Sequence, residues 1–127
     1  MKLVLDVENT VTKKGDKTHF DPFEPNNKLV MVGCLTDKGE EYLYRFDEYV
    51  FGTACVGTKQ KIQDLLDKAT VLIGHNIVHD LLWLWETGFT YDREVFDTML
   101  GEYVLQRGQK KSLSLEACAE RYNLNTK

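Results

Sequence analysis

Short apolar stretches bounded by turn residues predict the strands in the first half of the chain. The nearly continuous apolar run at 2–8 predicts a buried strand, and a second run at 29–35 predicts another. Alternating aromatic residues at 42–46 predict a third strand, joined to the second through a turn at 37–39. The segment 9–28, with its prolines, glycine and paired asparagines, is predicted to be a long loop.

Helical periodicity dominates the second half of the chain and is interrupted by short strands. Thr58 is predicted to cap a helix that runs to Ala69, and a fourth strand follows at 70–73. A very apolar helix is predicted at 78–86, closed by Gly88. The remaining predictions are a short strand or helix entry at 94–97, a helix over 96–104 stopped by Gly108, and a last helix, capped by Ser112, whose inner face comprises Leu115, Cys118, Ala119 and Tyr122.

The order of these elements predicts an α/β fold with a mixed five-stranded sheet flanked by helices. Helices between the later strands imply parallel pairing, whereas the hairpin supplies an antiparallel part. This order resembles the RNase H-like fold of the ribonuclease H superfamily, in which the first strand lies centrally. We expect residues 1–127 to form a single domain with one core, because this length suits one hydrophobic core.

Two acids end the first predicted strand, where a buried strand usually carries valine or isoleucine. Asp6 and Glu8 are two residues apart, so they project from the same face of the strand. Paired carboxylates removed from water need a positive partner, and hard oxygen ligands select Mg²⁺ or Mn²⁺. The alternative interpretation is that the strand simply ends at Asp6 and the acids are solvated.

A second polar cluster joins the fourth strand to the apolar helix. Asp80 is predicted in the first turn of that helix, near the carboxyl ends of the strands, where ligands gather in open α/β sheets. The macrodipole also favours an acid in a helix's first turn, and Asn76 alone is typical of a helix cap. Structural roles therefore stay open for both residues at this point.

Composition narrows the class of protein. There is no apolar run long enough for a transmembrane helix, and we expect no membrane association. The net charge of −4 argues against a protein that coats nucleic acid, but not against an enzyme that holds a few nucleotides through metal ions. Cys34, Cys55 and Cys118 are odd in number and form no CxxC pair, and no signal peptide pattern is present. These features predict reduced thiols in a cytosolic protein.

Three stretches in this order resemble the DEDD 3′→5′ exonucleases. The sequence DVENT at 6–10 matches their DxExT first motif, and NIVHD at 76–80 matches their NxxxD second motif. The sequence FDTML at 96–100, followed by SLEACAERY at 114–122, is similar to the FDTML…SLEALAERY stretch of family A DNA polymerases. The resemblance covers nearly the whole chain and is greatest to the proofreading domain of a short, phage-type polymerase.

The resemblance implies hydrolysis of phosphodiester bonds with two divalent ions, Mg²⁺ or Mn²⁺, at the scissile phosphate. By resemblance, Asp6 bridges both ions, Glu8 binds the site that orients the attacking water, and Asp80 supports the second ion. The implied substrate is the 3′ end of single-stranded or frayed DNA at a primer, during DNA replication. The implied location is the cytoplasm of a bacterial or phage-infected cell.

Further residues receive expected roles from the same resemblance. Thr10, Asn9 and Asn76 would help to bind the terminal nucleotide. Asp97 does not bind metal in the family, and we expect it to be a structural acid.

One part of the family pattern is missing. The third exonuclease motif, YxxxD or HxxxD on a later helix, has no match, because Tyr44 and Asp47 have the wrong spacing and His79 stands where an Asp is required. We therefore expect a domain that lacks its C-terminal helix and has weak or absent activity. An apolar patch would be exposed where that helix belongs, favouring self-association or contact with the rest of the polymerase polypeptide.

Two other functions stay open at the level of sequence. The first is a non-catalytic RNase H-like module that binds nucleic acid or a protein partner, and the second is an RNase D-like RNA exonuclease. A zinc pair formed by His75 and His79 is disfavoured, because no third ligand is evident. Phe20 and Phe23, in the loop beside the acids, are candidates for stacking on bases.

Overall fold

The computed structural model describes residues 1–46 and 52–124, without the side chains of 52–58. The strands are β1 (Lys2–Asn9), β2 (Thr12–Lys14), β3 (Lys17–His19), β4 (Leu29–Thr36), β5 (Glu41–Arg45), β6 (Val71–Gly74) and β7 (Glu94–Asp97), and the helices are α1 (Gly52–Lys68), α2 (Ile77–Thr87), α3 (Thr98–Gln106) and α4 (Leu115–Arg121). Within these ranges, none of the helices is both long and apolar enough to span a membrane.

Five strands form one mixed sheet in the order β5-β4-β1-β6-β7, and β2 pairs with β3 in a separate two-stranded sheet. β1 is antiparallel to β4 and parallel to β6, while β4 and β5 form the predicted antiparallel hairpin. β6 and β7 are parallel and are connected through α2. The predicted α/β fold with a mixed five-stranded sheet is therefore confirmed, and β1 lies at its centre.

The hydrophobic core joins one face of the sheet to α1 and α2. Strand β1 contributes every second side chain to the core, because neighbouring side chains point to opposite faces. Burying a leucine of this kind contributes about 1.5–3 kcal/mol, which makes this cluster the main source of stability. The largest fully buried side chains are Leu3, Leu5, Val32, Ile62, Leu66, Leu72, Ile77 and Leu84.

Several predicted boundaries differ from the structure. The predicted loop at 9–28 contains the hairpin β2–β3, which turns at Gly15 with a φ of 64°. Helix α1 begins at Gly52, so the prediction that Thr58 caps it is wrong. The last helix is capped by Ser114, whose side chain accepts from the Ala117 amide, and not by Ser112.

Helix α3 is placed with its polar side inward. Leu100, Tyr103 and Val104, which recur at helical spacing, are mostly exposed. Glu102 is buried instead, forms an ion pair with Arg121 of α4 and accepts a hydrogen bond from the Tyr122 hydroxyl. We call Leu100, Tyr103 and Val104 the α3 stripe.

The predicted inner positions of α4 also reach solvent. Leu115 and Tyr122 are more than half exposed, and Cys118 is partly buried, so the predicted inner face of α4 has no full cover among the described residues. Cys118 and the buried Cys34 are free thiols, as predicted, whereas the side chain of Cys55 lies outside the described residues.

Candidate active site

The two acids of β1 project from the same face of the sheet, as predicted. Leu3, Leu5 and Val7 point into the core, and the alternate positions point to the opposite, exposed face. The expectation of a fully buried strand is therefore wrong, because only one face of β1 is covered. A groove of about 490 Å³ crosses this exposed face. It is lined by Val4, Asp6, Gly33, Cys34, Leu35, Glu41, Tyr42 and Leu43.

Asp80 lies in the first turn of α2, at the predicted place, and is only 4% exposed. Its Oδ2 atom is buried and has no hydrogen-bond partner among the described residues. The glycine at the end of β6 permits this position. A Cβ atom on Gly74 would lie 2.5 Å from Ile77 Cδ1, 3.1 Å from the Leu5 carbonyl oxygen and 3.5 Å from Asp80 Oδ2, so a larger residue would displace the Ile77 side chain and crowd the β1 backbone beside Asp80.

The carboxylates interact electrostatically in a row. Burial, and then the charges of Asp6 and Asp97, raise the pKa of Asp80 to about 8. Partial loss of hydration and the Glu8 charge raise the pKa of Asp6, while His79 acts in the opposite direction. Since raised acid pKa values mark carboxylates that lack a positive partner, this row is a candidate functional site.

The donor set has the chemistry of a divalent metal site, but it is incomplete. A buried carboxylate oxygen without a partner, close to a second carboxylate, is an oxygen ligand of the kind that Mg²⁺ and Mn²⁺ prefer. Within residues 1–46 and 59–124, however, no three His, Cys, Asp or Glu side chains come close enough to hold one ion. Asp80 interacts with Asp6, and Asp6 with Glu8, in pairs. The structure therefore brings the predicted acids together in pairs without closing a three-ligand site.

Asp97 organises the loop that leads into α2. Its Oδ1 atom accepts hydrogen bonds from the backbone amides of Asn76 (2.8 Å), Met99 (2.9 Å) and Leu100 (3.4 Å). These are the contacts of a structural acid, as the sequence predicted. Asn76 itself is left-handed, with a φ of 56°, and its side chain makes no capping hydrogen bond. Asn76 therefore occupies the N-cap position of α2, as the alternative interpretation expected, but its exposed side chain does not cap the helix.

The other two predicted substrate-binding residues tie β1 to the segment that follows it. The Asn9 Nδ2 donates to the carbonyls of Thr10 (2.8 Å) and Phe20 (3.0 Å). Thr10 is exposed, and its Oγ1 accepts from the Lys28 amide at 2.7 Å. The pairing of β1 with β4 also shifts register between Glu8 and Asn9, an irregularity of the kind that re-aims side chains beside active sites.

The two histidines bind different partners, which argues against the zinc pair. The His75 ring contacts Thr98 Oγ1 and the Leu113 carbonyl, whereas His79 Nε2 lies 3.0 Å from Asn9 Oδ1. Sequence reasoning missed His79 as a member of the site. Its position directly before Asp80 was a signal, but only the fold shows that it reaches the residue after Glu8.

Comparison with known proteins agrees with the fold and identifies the family. A family model described as the 3′-5′ exonuclease of the DNA polymerase A type matches residues 18–127. Among solved structures, the chain is similar to the family B DNA polymerase from the hyperthermophilic archaeon Pyrobaculum calidifontis, with a TM-score of 0.63 and 19% identity. That match covers 98% of this chain but only 18% of the polymerase, so the chain spans less than a fifth of that protein. Comparison with curated protein sequences gives no match.

The family match and the structure cover different parts of the site. Asp80 and the FDTML stretch fall within the matched residues, whereas Asp6 and Glu8, on β1, precede them. The match covers most of the chain, and the RNase H-like fold predicted from the sequence agrees with it. The chain belongs to the 3′-5′ exonuclease domain family of family A DNA polymerases.

Proposed function

We propose that this chain contributes to proofreading in a phage-type DNA polymerase, by hydrolysing the last phosphodiester bond at the 3′ end of single-stranded or frayed DNA. The observation that carries this proposal is the interaction between Asp6, on the central strand, and the buried Asp80, whose Oδ2 has no partner. Two acids held in this way bind a cation in preference to a proton once a divalent ion is available.

The roles of the acids follow from their positions. Asp6 and Asp80 would hold Mg²⁺ or Mn²⁺, with Glu8 as a further carboxylate ligand beside Asp6. A divalent ion bound there would polarise a phosphate oxygen and lower the pKa of a bound water. The chain itself positions the carboxylates, since Asp6 and Glu8 lie on a strand paired with β4 and Asp80 lies in the first turn of α2.

Roles in substrate binding are proposed for three residues at the same end of the sheet. The exposed Asn76 side chain and the Thr10 backbone lie on the two segments that follow β6 and β1, where a terminal nucleotide would enter. Asn9 would act less directly, because both ends of its amide bind within the protein. It would hold Thr10 in place for the substrate.

We expect the chain alone to have weak activity. The described residues supply acids in pairs and close no three-ligand site, and residues 1–127 contain no YxxxD or HxxxD sequence on a late helix. A loosely held ion binds weakly, so turnover should be slow and should be greater with Mn²⁺ than with Mg²⁺.

The test is degradation of a 5′-labelled single-stranded DNA oligonucleotide with Mn²⁺ or Mg²⁺, beside Asp6→Ala and Asp80→Asn variants. Asp92→Asn serves as the matched control, because Asp92 is an exposed acid outside the site. We expect a ladder of single-nucleotide steps that disappears in both site variants and persists in the control. An RNA oligonucleotide of the same sequence tests the RNase D-like alternative, which predicts faster degradation of RNA.

Metal binding separates the two remaining interpretations. Mn²⁺ binding that is lost in Asp6→Ala, without a ladder, would support an incomplete exonuclease site. The absence of both hydrolysis and metal binding would contradict the enzymatic proposal and favour a non-catalytic module that binds nucleic acid or protein. The pairwise arrangement of the acids is the observation that keeps this second function under test.

The α3 stripe suggests a protein partner for the domain. Helix α3 buries Glu102 and exposes Leu100, Tyr103 and Val104. An exposed apolar side of this kind is typical of a surface that a protein partner covers. We propose that the rest of a polymerase polypeptide covers the stripe in the cytoplasm of a bacterial or phage-infected cell. Without that cover, two copies of the chain should associate through it, which light scattering would detect as a mass that increases with concentration.

A further inference from the structure

We propose that residues 10–28, which we call the aromatic loop, bind single-stranded DNA beside the acids by stacking its bases on Phe20 and Phe23. This inference deepens the proposed function and rests on it for the identity of the strand. The loop contains the β2–β3 hairpin, and neither the family's acids nor its FDTML stretch accounts for its features.

The aromatic loop is attached to both elements that carry the acids. The Phe20 carbonyl accepts from Asn9 Nδ2 at 3.0 Å, and Asn9 directly follows Glu8 on β1. The same carbonyl accepts from Trp83 Nε1 at 3.1 Å, and Trp83 lies on α2 one turn after Asp80. The backbone at Phe20 is therefore fixed relative to both Asp6 and Asp80.

The polar groups inside the loop are satisfied by one another. The buried Asn27 donates to the carbonyls of His19 and Asp21, both at 3.0 Å, and accepts from Thr12 Oγ1 at 2.6 Å. The buried Glu24 forms an ion pair with Lys14 at 2.8 Å. A buried network with this many partners holds a loop in one conformation.

The apolar groups of the loop are arranged in the opposite way. Phe20 is 56% exposed and Phe23 is 62% exposed, although the loop around them is ordered by buried polar contacts. Phe23 lies inside a turn closed by the Asp21 side chain, which accepts from the Glu24 amide. The buried polar groups of the loop are hydrogen-bonded, yet its two phenyl rings are exposed to water. Exposed rings on an ordered loop are typical of a binding surface, because nothing in the loop itself requires them to be exposed.

The lysines of the loop favour a ligand that carries phosphates. It contains four lysines and three acids, whereas the whole chain has a net charge of −4. Lys13 and Lys17 are exposed on β2 and β3, where they can attract phosphates. Exposed rings combined with lysines suit a single strand, whose bases stack on aromatic faces without regard to sequence.

The experiment measures binding of a fluorescent 12-nucleotide single strand in EDTA, where hydrolysis cannot occur. Phe20→Leu and Phe23→Leu keep an apolar side chain but lose the flat ring, and Phe20→Tyr keeps the ring. Trp85→Leu is the matched control, because Trp85 is an exposed aromatic residue on α2, outside the loop. We expect roughly 5- to 50-fold weaker binding for each Leu variant, with Phe20→Tyr and Trp85→Leu near wild type.

A second oligonucleotide, of the same length but with abasic sites, tests whether the rings of Phe20 and Phe23 stack on the bases. Removal of the bases should weaken binding by the wild-type protein and leave the double Leu variant unchanged. Equal binding of the intact oligonucleotide by wild type and both Leu variants would overturn the proposal. A change in the oligomeric mass of the Leu variants would also overturn it, because it would show that the rings form a protein interface. This experiment measures no hydrolysis. Stacking on the aromatic loop can therefore be confirmed even if the exonuclease proposal fails, and the exonuclease proposal can be confirmed even if stacking fails.

Discussion

The two faces of β1 follow opposite rules. On one face, Leu3, Leu5 and Val7 enter a core with α1 and α2 and are almost fully excluded from water. On the other, Val4, Asp6 and Glu8 reach solvent, and Asp6 opens into a groove. Alternate residues of this single strand therefore have different roles. Those on the covered face stabilise the fold, and those on the open face include the candidate catalytic acids.

The difference between the faces shows how a small domain can contain unpaired carboxylates and still remain folded. Unpaired carboxylates reduce stability, and a core of aliphatic side chains offsets that loss from the other side of the same strand. Asp80 is the exception that joins the two faces, because it lies on a core helix yet interacts with Asp6.

The largest expected effect comes from breaking the covered face. Leu5→Ala should lower the free energy of unfolding by about 2–5 kcal/mol, because Leu5 is 1% exposed and its truncation leaves a cavity. Val4→Ala is the neighbouring control at 41% exposure and should cost less than about 1 kcal/mol. Urea unfolding measures both, and equal losses would contradict the contrast between the faces.

A smaller effect should appear on raising the pH of the metal-free protein. The folded pKa of Asp80, about 8, lies above the usual value of 3.8, so the folded state holds a proton that the unfolded state releases. The contribution to stability is complete below pH 3.8 and is lost as the pH rises through 8. Stability should therefore fall by up to about 1.4 kcal/mol per pH unit between pH 6 and 8.

Asp80→Asn isolates this effect, because an amide does not titrate. Its melting temperature should be nearly independent of pH over the same range and should no longer rise when Mn²⁺ is added at pH 8. Calorimetry at a series of pH values measures both proteins. A wild-type melting temperature that increases from pH 6 to 8, or a variant with the wild-type slope, would contradict the raised pKa.

The smallest effect on folding should come from the α3 stripe. Leu100→Gln should change the free energy of unfolding by less than about 0.5 kcal/mol, since Leu100 is mostly exposed. The same change should reduce association between copies, because it places an amide on the apolar surface. Urea unfolding and light scattering give the two readouts, and a large loss of stability would show that the stripe is already packed within the domain.

The sequence predicted those parts of the fold that local patterns specify. The strands at 2–8 and 29–35, the hairpin and the apolar helix closed by Gly88 all appear at nearly the predicted residues. The β2–β3 hairpin was missed although Gly15-Asp16 between two lysines is a two-residue turn signal, because its strands lack apolar alternation. Local pattern identifies an element more securely when the element also buries a face.

The site shows the limits of the same reasoning. Spacing alone placed Asp6 and Glu8 on one face and Asp80 in the first turn of α2, and the structure agrees. Periodicity also identified the apolar side of α3, but it could not show that this side faces solvent, because a pattern does not specify what covers it. The contacts of His79 with Asn9 and of Trp83 with Phe20 join residues more than 60 positions apart, beyond the reach of any local signal.

The central place of β1 has a consequence for the way the domain opens. Edge strands and chain ends unfold locally at little cost, whereas a strand paired on both sides opens only when most of the protein does. Leu3 and Val4 of β1 pair with both β4 and β6, whereas Asp6 and Glu8, further along the strand, pair with β4 alone. Local opening from the end of β1 should therefore reach Glu8, next to the register shift, before it reaches Asp6, which lies two residues from the doubly paired stretch.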